Sequence, residues 1–357
     1  MKRLAVIPND PLEEYKKSGY IGLEQYYNPR HFFDEVYALS PLEKEAKEEY
    51  GMRIIPTKFW QMKKRIRELR IDVVRAYGGY WPAKMACDYK VSGVPAIVSV
   101  HDTNPERLCS SIKKADCVFC VSQAVRNLVL TKFKDPQRAW VLPNRVDFNL
   151  MRPHDNSEFT KLNQRYPFKY RILHVGRQHP VKNLDTLIKA LKILGDEYCV
   201  IAAGSINNLE DSLLAHREGV WQRCFFIGPV RNDELPLYYS WCDCMCTPSR
   251  REAFGVVFIE ALACASAVVT SDIAAINEYM RHMYNGLLVK DYENPLALAE
   301  AVKLACTDSK VRSILKSNAR KSVEQFEKSK IDALELDYYQ QAMELGISMI
   351  SKARLIK

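Results

Sequence analysis

Twelve short apolar, β-branched runs, each followed by a stretch long enough for a helix, leave this chain few folds to adopt. In the first half they are LAVIPN (4–9), EVYALS (35–40), DVVRAY (72–77), AIVSVH (96–101), CVFCVS (117–122) and WVLPN (140–144). In the second half they are RILHVG (171–176), CVIAAG (199–204), CFFIGP (224–229), CMCTPS (244–249), AVVTSD (267–272) and GLLV (286–289). Strands that are apolar on both faces must be covered on both faces, which means parallel sheets sandwiched between helices. At 357 residues the chain exceeds one ordinary domain. A Pro-containing stretch, residues 144–153, separates the two series. The expected fold is α/β, with two doubly wound Rossmann-like domains, 1–150 and 151–330, facing each other across a cleft. Ligands of such sheets bind at the carboxyl ends of the strands. The tail, about 331–357, is helical by pattern and is expected to pack back on the first domain.

Composition narrows the classes of function. The longest apolar run, 253–276, is interrupted by Glu260 and Asp272, so no membrane span is expected. The start, MKRLAVIPND, has too short an apolar segment for a signal peptide and reads as a first strand in a cytoplasmic protein. Cys117 and Cys120 have the CxxC spacing, but no second pair follows at zinc-site distance, and buried reduced thiols account for the eleven cysteines. No nucleic-acid partner is expected. The positive charge is concentrated: residues 53–90 hold ten Lys or Arg against three acids.

Three segments carry chemistry. In PSRREAFGVVFIEALA (248–263) a strand passes through a polar turn into a helix read as starting near Phe254. The free N–H groups of Phe254, Gly255 and Val256 would then form an anion site suited to a diphosphate. Glu252 lies in the loop, and Glu260, about two turns into the helix, suits the paired hydroxyls of a ribose. In HVGRQHPVKNLDTLIKAL (174–191) Arg177 and Lys182 flank the opening of an amphipathic helix, where two cations can neutralise a leaving diphosphate. In AIVSVHDTN (96–104) His101 follows a buried strand and so stands on its rim, able to donate to a sugar hydroxyl. Each segment also has a plain structural reading, as solvated loop charges or a packing histidine.

Arg177 and Lys182 after a glycine-ending strand, followed by P-S-x-x-E-x-x-G-x-x-x-x-E-A, resemble the family-four retaining glycosyltransferases of GT-B architecture. VLPNRVD (141–147) and the His101–Asp102 pair resemble further segments of that family. The resemblance implies transfer of a sugar, with retained configuration, from a nucleotide-sugar donor to a glycan or lipid-linked acceptor, without metal or other cofactor. It implies Glu252 near the C3 hydroxyl of the donor sugar, Glu260 on the ribose, Arg177 and Lys182 on the diphosphate, and His101 near C6. Four positions depart from the family pattern. Asn183 and Arg145 stand where glycine is usual, Ala265-Ser266-Ala267 stands where a glycine and a proline are common, and the amino-terminal glycine loop is reduced to Gly19 and Gly22. A sugar-nucleotide epimerase, a phosphorylase of the same architecture, or a non-catalytic nucleotide-sugar binding module would share much of this pattern.

The basic segment bears on the acceptor. TKFWQMKKRIRELR (57–70) reads as an amphipathic helix with Phe59, Met62, Ile66 and Leu69 in one stripe and Lys63, Lys64, Arg67 and Arg70 beside it. Such a helix predicts an anionic acceptor or peripheral contact with an anionic membrane surface.

Overall fold

All twelve runs form strands in the computed structural model, which describes residues 1–17, 22–206 and 209–355. The chain divides into two compact units: Met1–Asn144 with the carboxyl-terminal helix, and Arg145–Lys328. The first contains β1 (Arg3–Ile7), β2 (Glu35–Ser40), β3 (Lys47–Glu49), β4 (Met52–Pro56), β5 (Val73–Tyr77), β6 (Ala96–Val100), β7 (Cys117–Cys120) and β8 (Ala139–Val141). The second contains β9 (Tyr170–Val175), β10 (Tyr198–Ala203), β11 (Cys224–Gly228), β12 (Cys244–Thr247), β13 (Val268–Ser271) and β14 (Leu287–Val289).

The eight-stranded sheet has the order β3-β4-β2-β1-β5-β6-β7-β8, parallel except for the β3–β4 pair. The hairpin β3–β4 was not legible in the sequence. Strand β3 is Lys-Glu-Glu, too short for a period and charged as edge strands commonly are, and β4 ends on Pro56. The six-stranded sheet, β11-β10-β9-β12-β13-β14, is parallel throughout. In each sheet the chain builds outward one way from its first strand and then restarts on that strand's other side. The reversal falls at β1/β5 in one sheet and at β9/β12 in the other. Such reversals open the crevice where ligands settle in doubly wound sheets.

Helical periodicity explains the covering layer. In Leu184–Leu194 the side chains of Leu184, Leu187, Ile188 and Leu191 recur at helical spacing and are buried. Against them lie Ile172, Val200 and Cys244 from the sheet and Leu298 and Val302 from the helix Pro295–Thr307. Each large aliphatic buried in this way contributes about 1.5–3 kcal/mol. The eleven cysteines are free thiols, ten of them buried and Cys109 half-buried. Among the described residues no helix is long and apolar enough to cross a membrane.

Segment 57–70 differs from the single helix expected. It forms a 3₁₀ turn, Phe59–Gln61, and a helix, Met62–Glu68. Met62 and Ile66 are buried and Phe59 and Leu69 half-buried, so the apolar stripe packs inward, while Lys63, Lys64, Arg67 and Arg70 are exposed.

Two of the family-pattern departures have a backbone explanation. Asn183 and Ala265 both sit in the left-handed region, with φ of 58° and 54°, the conformation that glycine takes without cost. Asn183 offsets the strain through its side chain: Nδ2 donates to Tyr292 O at 2.9 Å and Oδ1 accepts from Thr186 Oγ1 at 2.6 Å. Ala265 has no such group. Ala265→Gly is therefore expected to raise the unfolding free energy by about 1 kcal/mol, read from urea melts. An unchanged or lowered midpoint would contradict the strain assignment.

Candidate active site

The reversal at β9/β12 brings together two loops that are distant in sequence, the one leaving β9 at Gly176 and the one leaving β12 at Pro248. Arg250 and Lys182 lock them side by side. Arg250 N donates to Val181 O at 2.8 Å. The Arg250 guanidinium grips Asp185 through two bonds of 3.0 and 2.9 Å, and its Nε reaches Glu293 at 2.8 Å. At the inner end of the loops, Lys182 Nζ donates to Glu252 Oε1 at 2.6 Å, and Ser249 Oγ donates to the same oxygen at 2.7 Å. Two of the residues singled out in the sequence, Lys182 and Glu252, thus form one ion pair, with side chains 20% and 9% exposed.

Loop geometry depends on close backbone approach. A Cβ on Gly204 would lie 1.9 Å from the carbonyl oxygen of Gly176, so the ends of β9 and β10 meet only because Gly204 is glycine. Gly176 packs against the stem of Lys182, 3.3 Å from where a Cβ would stand. Arg177, on the same loop, is exposed and has no ion-pair partner among the described residues.

The helix after Glu252 begins two residues later than expected. It spans Val256–Ala263, with Gly255 as N-cap in the left-handed conformation, φ 85°. A Cβ there would stand 2.5 Å from the Phe258 ring and 2.9 Å from Ile276. The first N–H groups at the helix head, unable to bond within the helix, therefore belong to Val256 and Val257. Phe254 is a core residue instead. Its ring packs on Tyr279 and Phe326 at 5.4 and 5.2 Å, and its carbonyl accepts from Tyr279 Oη at 2.8 Å.

Glu260 is not joined to the Lys182–Glu252 pair. Its Oε2 accepts from Tyr239 Oη at 3.1 Å. Burial pushes its carboxyl up to about 7, against the opposing effect of the Tyr239 bond.

In the first unit His101 follows β6, exposed, with its ring stacked on Tyr77 at 6.0 Å and 21°. Gly22 is the exposed N-cap of the short helix Leu23–Tyr27. Gly19 lies outside the described residues.

Sequence reasoning missed Ser249, Arg250 and Tyr239. His174, in the strand that leads into the first loop, is buried, with Nδ1 3.1 Å from Cys246 O. Burial lowers its pKa to about 4, with a smaller contribution from the Lys182 charge, so the ring is neutral. Arg250 and Tyr239 meet partners 65 and 21 positions away, whereas Ser249, three residues from Glu252 inside the glutamate motif, had a local signal.

Comparison with known proteins settles the family. The pattern of Glycosyl transferases group 1 matches residues 156–322, and that of Glycosyltransferase Family 4 matches residues 29–150. The chain belongs to glycosyltransferase family four. A D-inositol 3-phosphate glycosyltransferase of Xylanimonas cellulosilytica is 30% identical over 236 residues, 63% of this chain and 56% of that protein. An uncharacterised glycosyltransferase of Methanocaldococcus jannaschii is 26% identical over 65% of this chain and 64% of its own length. The match to the first of these relatives thus spans little more than half its length. Among solved structures, Anabaena HepE in complex with UDP and glucose superposes with a TM-score of 0.78 at 19% identity, over 95% of this chain and 99% of that one. WaaG, a glycosyltransferase of lipopolysaccharide biosynthesis, gives 0.69 at 16% identity, over 94% and 99%. The two parallel α/β sheets of this family-four chain are those of the GT-B fold.

The raised Glu260 pKa gives this family-four chain a pH signature. The folded state holds a proton that the unfolded state has released, so Glu260 favours folding at low pH. That contribution is lost as pH rises from the unfolded value near 4.5 through about 7. Wild type should lose about 3 kcal/mol of stability relative to Glu260→Gln across this window, measured by urea melts at each pH. Parallel stability curves for the two proteins would contradict the assignment.

Proposed function

We propose that this chain transfers a sugar from a UDP-sugar to an acceptor with retention at the anomeric carbon and without a metal ion. The observation that carries the reading is the Lys182–Glu252–Ser249 cluster at the β9/β12 reversal, beside the head of the helix Val256–Ala263. UDP is favoured as the carrier because HepE, the related fold, is found in complex with UDP and with UDP-glucose.

Breaking a sugar–phosphate bond leaves negative charge on the diphosphate. An ammonium has three donors, of which Glu252 takes one, so Lys182 can give the others to phosphate oxygens. Arg177 adds a second cation, and the N–H groups of Val256 and Val257 add a helix dipole. These fixed charges stabilise the leaving group, the role a metal would otherwise take, and the chain has no Asp-x-Asp to hold one. Glu252 Oε1 is occupied by Lys182 and Ser249, and Oε2 has no hydrogen bond among the described residues, so it can accept from a sugar hydroxyl. Glu260 receives the ribose, and His101 donates to the sugar.

Glu252→Gln and Lys182→Ala should each lower turnover of UDP-glucose by roughly two to three powers of ten, with EDTA leaving the wild-type rate unchanged. Near-normal turnover in either folded variant, or activity lost in EDTA and restored by manganese, would overturn the reading.

A second observation concerns the acceptor. Just before the exposed Lys63, Lys64, Arg67 and Arg70, the same segment carries Trp60 at 69% exposure, with Lys58 Nζ 5.3 Å from its ring. An exposed aromatic ring among cations matches the headgroup layer of an acidic bilayer. Each basic residue adds about 1 kcal/mol there, so the first unit would work on a lipid-linked or otherwise anionic acceptor. Co-sedimentation with vesicles containing phosphatidylserine, but not with neutral vesicles, is expected at low salt, and Lys63→Glu with Lys64→Glu should abolish it. Equal binding to both vesicle types, or to neither, would overturn the membrane contact.

A further inference from the structure

Arg75 is a cation in the middle of a parallel strand, 3% exposed, and the transfer chemistry makes no use of it. A guanidinium survives there only if its donors are satisfied and its charge is matched. Its Nε donates to Ser99 Oγ at 2.7 Å on the neighbouring β6. Its Nη1 donates to the Tyr339 hydroxyl at 2.7 Å and to the Glu335 carboxylate. Glu335 and Tyr339 lie one turn apart on the carboxyl-terminal helix, Lys328–Leu355. The guanidinium also lies over aromatic faces, 4.6 Å from the Tyr77 centroid and 4.8 Å from that of Phe119.

Alternate residues of a strand share a face. Arg75 and Tyr77 therefore point to one side of β5, and Ser99 and His101 to one side at the end of β6. Tyr77 and Ser99 are register partners. Ring contacts hold the Tyr77 side chain. Those contacts are the Arg75 guanidinium, the Tyr27 edge at 4.6 Å and 62°, Tyr26 at 5.9 Å, and the stacked His101 ring.

We propose that Glu335 and Tyr339 of the carboxyl-terminal helix are positioning residues for His101, acting through Arg75 and the Tyr77 ring. The helix pair holds the guanidinium, and the guanidinium holds both Tyr77 and, through Ser99, the strand that delivers His101. The proposal rests on the reading of His101 as a residue that touches the donor sugar. Arg75 is the nearby cation behind Tyr77. Asp102, next in the chain, is turned away to Arg107 at 3.1 Å and to Asn104 N at 2.7 Å.

The test is an NMR pH titration of protein carrying ¹³C-labelled histidine, with His101 picked out of the seven histidines by its loss in His101→Gln. Arg75→Met combined with Glu335→Met removes the pair without stranding a charge, an exchange buried ion pairs often tolerate. Tyr339→Phe keeps the ring and removes only the hydroxyl. In the double variant the His101 pKa should rise by at least half a unit, because a neighbouring cation disfavours imidazolium. In Tyr339→Phe the His101 resonances should shift while the other six stay in place. If the double variant does not fold, Tyr339→Phe decides alone. His101 titrating and resonating as in wild type in the folded variants would reduce the helix to an anchor and overturn the proposal. Turnover of His101→Ala tests the underlying role separately: unimpaired turnover would refute the donor-site reading, and with it the meaning of the coupling, whatever the titration gives.

Discussion

Everything proposed for the second unit depends on one hydrogen-bonded ion pair, Lys182 to Glu252 at 2.6 Å. The two residues are 70 positions apart, and only the reversal of strand order at β9/β12 makes their loops neighbours. Pairing at the edge of a protein would stabilise little, since exposed pairs are screened and lose side-chain entropy. This pair is mostly enclosed and carries Ser249 as a third member, so its geometry is fixed before any ligand arrives. Preorganised charge of that kind is what stabilises a departing anion without reorganisation at the moment of reaction.

The glycines around the pair show why the loops cannot vary freely. Gly204 and Gly255 are required by contacts of 1.9 and 2.5 Å that any side chain would make. At Asn183 and Ala265 the left-handed backbone is kept although glycine is not. Asparagine recovers part of the cost through two hydrogen bonds, and alanine recovers none. At these two positions the departure from the family pattern alters local strain, and Lys182 remains paired with Glu252.

Much of this was legible in the sequence, for reasons that differ by residue. Strands buried on both faces announce themselves as continuous apolar runs, so all twelve were found, whereas β3, charged and at an edge, left no pattern. Lys182, Glu252 and Gly255 were legible because they lie in compact strand–turn–helix motifs. Phe254 was misread because a glycine cap in the left-handed conformation delays the helix by two residues, and residue order alone does not specify that φ. Arg250 and Tyr239 were invisible, since their partners, Asp185 and Glu260, meet them only after folding. The Arg75–Glu335 pair, 260 positions apart, is the extreme case.

The central claim is that Lys182 and Glu252 form one preorganised unit for a nucleotide-sugar diphosphate. Calorimetric titration of UDP into wild type, Lys182→Ala, Glu252→Gln and the double variant tests it most directly, as a double-mutant cycle. UDP should bind Lys182→Ala at least about tenfold more weakly, and the loss in the double variant should fall well short of the product of the two single losses. UDP affinity unaltered by Lys182→Ala, or losses that simply multiply, would contradict it.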